Sequence, residues 1–262
     1  MRAFLVSLVT ALTLIACSGT YNIQGSSDSS QLDGRMVHLK AVRNHVFKSI
    51  DSCDVVHGQF QFTGSIDSAE MVHLCVDNDI LMPLVLEKDE IAIKLSSTQQ
   101  TVTGTPLNEK LSGFLNHYNQ IQNQQAELIH KHDQAIMDGK DMEAVIEDLN
   151  VEAYQLAQQE DSLLTNFVTD NFDNVIGPGV FFLLTISKPY PELTPWIEDI
   201  MSKATPYFKN NEYVKEYYEK AYENQRIMNG LAEQPASAPE TSDANSPVTP
   251  PPTPNQLASP QK

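Results

Sequence analysis

Two periods of apolar residues divide the chain. Between residues 21 and 105 the period is two. Val37, Leu39 and Ala41 alternate with His38 and Lys40; Phe60 and Phe62 alternate with Gln59, Gln61 and Thr63. Val72, Leu74 and Val76 alternate with His73 and Cys75; Ile91, Ile93 and Leu95 alternate with Ala92 and Lys94. Such alternation, rich in β-branched and aromatic residues, predicts half-buried strands. Turn residues fall between them at Asp33-Gly34, His57-Gly58, Gly64-Ser65 and Lys88-Asp89. Short strands at this spacing predict an antiparallel sandwich.

After Gly104 the period becomes helical. Thr105 and Pro106 are placed as N-cap and first helical residue, where the donor that proline lacks costs nothing. Leu107, Leu111, Phe114, Tyr118, Ile121, Gln125 and Leu128 then follow at steps of three and four, which is one helix face. Asp138-Gly139-Lys140-Asp141 interrupts it, and a second helix is expected from about Met142, with Val145, Leu149, Ala153, Leu156, Leu163 and Phe167 on one side. The two form an antiparallel hairpin. A short apolar helix is expected over 180–186, another capped by Thr194, and a last one capped by Asn210 and carrying Tyr213, Tyr217 and Tyr218. From Glu233 onward no aromatic residue occurs and prolines recur through Pro250-Pro251-Pro252. That composition predicts a disordered or extended tail.

The expected fold class is therefore α+β. A signal segment (1–16) precedes a β-sandwich (17–105), a helical region (106–230) and a proline-rich tail (231–262).

The first residues set the address. Arg2 is a positive start, and an apolar run from Phe4 to Ala16 follows, too short to span a bilayer. Leu14-Ile15-Ala16-Cys17 resembles the bacterial lipobox, which implies cleavage before Cys17 and lipidation of its sulfur. A thiolate is the nucleophile such acylation needs, and several acyl chains anchor a protein durably. Ser18-Gly19-Thr20-Tyr21-Asn22 carries no acidic residue. An acidic run here usually accompanies export to the cell exterior in Bacteroidetes lipoproteins. Its absence implies a protein on the outer membrane facing the periplasm.

Charge narrows the partners. The 262 residues carry a formal net charge of −17, which argues against nucleic-acid binding. The partners expected are the membrane, through the lipid, and an envelope protein. Of the three cysteines, lipidation uses Cys17. Cys53 and Cys75 could pair as a structural disulfide, as an oxidising compartment permits, or stay separate thiols.

One resemblance rests on residue order. Tyr21-Asn22-Ile23-Gln24-Gly25 opens the module. Ile50-Asp51-Ser52 precedes the stretch from Val55 to Gly64, Leu84-Val85-Leu86-Glu87 precedes Ile91-Ala92-Ile93, and Val102-Thr103-Gly104-Thr105-Pro106-Leu107-Asn108 closes it. This resembles the N-terminal domain of unknown function 4369 of Bacteroidetes envelope lipoproteins, a β module that usually precedes a helical segment and a thioredoxin-like domain. The resemblance implies a redox activity that this sequence cannot receive. It contains no Cys-x-x-Cys, and thiol exchange needs an attacking thiolate beside a resolving one.

Catalytic and metal motifs are not found. His130 and His132, two apart on a helix, point to different faces. His38 and His73 sit at outward strand positions and could meet across a sheet, but are expected to be solvated. Asp77-Asn78-Asp79 lacks the later ligands of a calcium loop. Glu87 and Glu90 flank a hairpin turn and are expected in solvent. No Gly-x-Ser-x-Gly, phosphate loop or His-Glu-x-x-His occurs. The sequence therefore suggests a non-catalytic, lipid-anchored binding or assembly module without metal or cofactor. The alternative is an accessory partner of a separate thioredoxin-like oxidoreductase.

Overall fold

The computed structural model describes residues 19–231 except 44–45, 78 and 97–98, so the signal segment, Cys17, His45, Asn78 and the tail from residue 232 lie outside the described residues. Eight strands come first: β1 (Gly19–Ser27), β2 (Met36–Arg43), β3 (Val46–Asp54), β4 (Gln59–Ile66), β5 (Glu70–Val76), β6 (Asp79–Leu86), β7 (Asp89–Leu95) and β8 (Gln100–Thr103). Helices follow: α1 (Pro106–Met137), α2 (Met142–Thr169), α3 (Ile176–Thr185), α4 (Pro195–Lys203), α5 (Pro206–Lys209) and α6 (Glu212–Met228).

The strands form two four-stranded sheets, ordered β4-β1-β7-β8 and β3-β2-β5-β6. Their inward residues meet in one core. Ile23, Phe62, Ile91 and Ile93 come from the first sheet, and Val37, Leu39, Leu74 and Leu84 from the second. The α+β sandwich matches the sequence pattern, with one amendment: β1 and β7 pair in parallel, Ile23 opposite Ile91. A parallel pair needs a long crossover, and β2 to β6 supply it. The β3–β4 turn has positive φ at both His57 (52°) and Gly58 (70°), the mirror-image turn that suits twisted strands.

β5 and β6 are buried on both faces. Val72, Leu74 and Val76 point into the sandwich, whereas Met71 and the β6 residue Val85 pack into a second core made by the helices. Phe181 of α3 lies at the centre of that core, its ring centroid 5.7 Å from Phe208 and 5.5 Å from Tyr217. The hairpin of α1 and α2 runs beyond this body. At about 1.5 Å per residue the 32 residues of α1 extend about 48 Å. Past Ile121 its only buried residue is Ala135, and α2 buries only Val168. Polar links hold the outer part: Gln122 and Gln125 donate to Glu160 at 2.9 and 2.8 Å, and Lys131 pairs with Glu152 at 2.6 Å.

The junction between sandwich and helices is hydrogen-bonded. Asn108, wholly buried in α1, accepts from the Val85 backbone N–H at 2.8 Å and donates to the Val85 carbonyl at 2.7 Å. Its carboxamide thus acts as a neighbouring strand residue would. Glu87, expected in solvent, instead accepts from the backbone N–H groups of Leu107 (3.0 Å) and Asn108 (3.2 Å). Those are orphan donors at the start of α1, and a carboxylate there also complements the helix dipole. Thr105 makes no side-chain cap; its hydroxyl accepts from Asn108 instead. The last helix is capped by Asn211, whose side chain accepts from Val214 N–H, and not by Asn210, which ends α5.

Candidate functional site

The outer face of β5 carries the candidate site. Alternation puts Met71, His73 and Cys75 on the side away from the sandwich core, and α3 covers that side. α3 can approach because Gly179 has no side chain: a Cβ there would stand 1.9 Å from Met71 Sδ. The approach leaves a cavity of about 210 Å³ between β5, α3 and the segment from α5 to the start of α6. Its walls are Met71 and His73 from β5, Pro178 and Phe182 from α3, and Tyr207 and Tyr213 from the C-terminal helices.

His73 is the residue that most needs an explanation. It is 2% exposed, and neither ring nitrogen has a hydrogen-bond partner. Buried polar groups are almost always paired, because an unpaired one retains its desolvation cost. The expectation of a solvated His73 is thus corrected: Phe47 meets the ring edge-on at 5.2 Å and Phe182 lies at 5.8 Å. Burial pulls its pKa down to about 4; a loose hydrogen bond to the backbone of Lys40, its partner across the ladder, falls outside ordinary hydrogen-bond geometry and pulls more weakly the other way. At neutral pH the ring is therefore uncharged, with one nitrogen a donor and the other an acceptor.

The surrounding side chains are firmly placed. Phe182 and Tyr213 meet edge to face at 4.8 Å, and the Tyr213 hydroxyl bonds to Thr185 at 2.9 Å. Burial pushes the Tyr213 phenol up. Glu70 and Glu212 are the charged residues of the lining. Arg43 holds Glu70 with two contacts at 2.7 and 2.9 Å.

The other candidate residues are not brought together. Cys53 and Cys75 are both free, so the disulfide alternative is set aside. Strand parity keeps them apart: Cys53 lies opposite Val37, an inward residue, and Cys75 opposite His38, the next residue and therefore outward. Burial pushes both thiols up. His57, His117 and His130 are exposed, and among the described residues no three His, Cys, Asp or Glu side chains gather as a metal site. Asp77 pairs with Arg35, and its carbonyl accepts from Lys40 at 2.6 Å. No described helix is long and apolar enough to cross a membrane. Phe182, Tyr207 and the role of His73 went unread in the sequence. A signal existed in the nearly unbroken apolar run from Met71 to Val76, which marks a strand covered on both faces.

Residues 21–111, which span the sandwich and the start of α1, match the family model described as domain of unknown function DUF4369. No curated protein matches the chain.

Proposed function

We propose that this chain, a DUF4369 module joined to a helical body, is a non-catalytic binding protein of the cell envelope. Its ligand seat is the cavity between β5 and α3, and its anchor is a lipid on Cys17. The observation that carries the binding reading is His73: a buried residue of the cavity lining whose ring nitrogens have no well-formed hydrogen bond. A ligand that answers them recovers hydrogen bonds the folded protein forgoes. Aromatic walls with few polar groups are the usual lining of a small-ligand site. The anchor reading rests on Leu14-Ile15-Ala16-Cys17 and on β1 beginning at Gly19, directly after that segment. The two thiols lend nothing to a redox reading, because burial raises both and they lie on opposite faces of one sheet.

The seat is tested with a form beginning at Ser18, observed by NMR of its histidine and tyrosine rings. Small amines, polyols, carboxylates and apolar fragments are added in turn. At least one class should shift His73 and Tyr213, and His73→Phe should abolish the shifts. If no class moves either ring, the binding reading fails. For the anchor, Cys17→Ser should leave the membrane fraction and lose metabolic acyl label; retention with label would refute it.

A further inference from the structure

The lining also carries a sign. Its two charged residues, Glu70 and Glu212, are both acids, and among the described residues no lysine or arginine lines the cavity. The Arg43 guanidinium is engaged by Glu70. Three aromatic rings, Phe182, Tyr207 and Tyr213, supply π faces. Among the described residues the lining offers an anion no cationic side chain. The starts of α3 and α6 both border the cavity, and several of their donors are already engaged. Asn174 Oδ1 accepts from Ile176 N–H at 3.0 Å, Pro178 has no N–H, Gly179 N–H donates to Val175 at 3.1 Å, and Asn211 caps α6 through Val214.

Resting on the seat proposed above, we infer that the cavity takes a small organic cation, an alkylammonium or guanidinium head on a slender stem. Glu212 supplies countercharge beside the Glu70–Arg43 pair, Tyr207, Tyr213 and Phe182 supply aromatic surface, and a His73 ring nitrogen accepts a hydrogen bond from the head. Cations over aromatic faces are favoured most where water is displaced. A neutral imidazole accepts from an ammonium without repelling it. The overall charge of −17 adds long-range attraction for cations. The cation could be a free amine or a basic side chain on a peptide; the chemistry at the seat is the same.

The test is calorimetry and ring NMR with n-butylamine, n-butylguanidine and the blocked peptide Gly-Arg-Gly. The neutral n-butylurea and the anion pentanoate serve as comparisons. The cations should bind roughly tenfold tighter than n-butylurea, and their affinity should fall as salt is raised. Glu212→Gln, at an exposed first-turn position of α6, should keep the fold and weaken the cations alone, up to about fivefold. Binding of the peptide with no binding of the free amines assigns the seat to a partner's side chain; binding of the amines assigns it to free ligand as well, and either supports the inference. If n-butylurea or pentanoate binds as tightly as the cations and shifts His73, the seat stands and the cation inference is overturned. If no probe shifts His73, the cation inference falls, and the seat falls with it if polyols and apolar fragments also leave His73 and Tyr213 unmoved.

Discussion

Replacing His73 by phenylalanine should make the protein more stable. The two ring nitrogens are buried and unpaired, and an unsatisfied buried polar group costs about 1–3 kcal/mol. Phenylalanine removes that cost and keeps the edge-on contacts at 5.2 Å to Phe47 and 5.8 Å to Phe182. Its extra volume enters the adjoining cavity of about 210 Å³, so overpacking is avoided. A gain of about 1–3 kcal/mol corresponds to a melting temperature higher by about 2–10 °C in a domain of this size. The pH dependence gives an independent reading. His73 has a folded pKa of about 4 against 6.5 in a free side chain. Above pH 6.5 both folded and unfolded chains hold it neutral. As pH falls below 6.5 the unfolded chain takes up the proton first, so stability declines until about pH 4, by roughly 3 kcal/mol at most. Glu70 and Glu212 line the same cavity in both proteins, so the difference between wild type and variant isolates the imidazole. Thermal melts of both proteins from pH 7.5 to 4 should therefore diverge, the variant gaining most at the acid end. A variant that melts several degrees lower at pH 7, or two parallel pH profiles, would show that His73 holds the fold through bonds the geometry does not contain.

Three further outcomes follow from the junction. Asn108→Leu leaves the buried backbone N–H and C=O of Val85 without partners and should lower stability by about 2–4 kcal/mol in urea unfolding; a loss below 0.5 kcal/mol would mean that water replaces the amide. Gly179→Ala drives a methyl into Met71 and should cost about 1–3 kcal/mol, largely restored by Met71→Ala in the same chain, so a double-mutant cycle reading zero coupling would refute the contact. Non-reducing mass spectrometry should find Cys53 and Cys75 as two thiols, with Cys75 reacting with a thiol reagent only on unfolding; a disulfide-linked peptide would contradict the strand parity.

The inward faces of the strands and the hairpin break at Gly139 could be read from periodicity, because each records a local choice of backbone. What covers the outer face of β5 could not. A period of two says that His73 points away from the sandwich, and only the later helices decide whether water lies there. Glu87 was misplaced for the same reason: it stands twenty residues before the donors it caps. The parallel pairing of β1 with β7 joins strands separated by five others, and no local pattern carries it. The cap of α6 was missed by one residue in an Asn-Asn pair, where side-chain chemistry does not discriminate and only the extended backbone of Asn211 does (ψ 130°).

Asn108 changes what counts as one unit. By composition the sandwich ends at Gly104, yet Val85 finds its missing neighbour in the carboxamide of Asn108, in the first turn of a helix. A piece cut at Gly104 would expose a torn hydrogen-bond ladder in its own interior, whereas a cut beyond Leu111 would carry the repair with it. Transplanting the module therefore means moving a sandwich with a short helical plug. Any helical body grafted onto it inherits the departure that Asn108 and Glu87 hold together, one side chain standing in for a ninth strand and the other gripping the helix start.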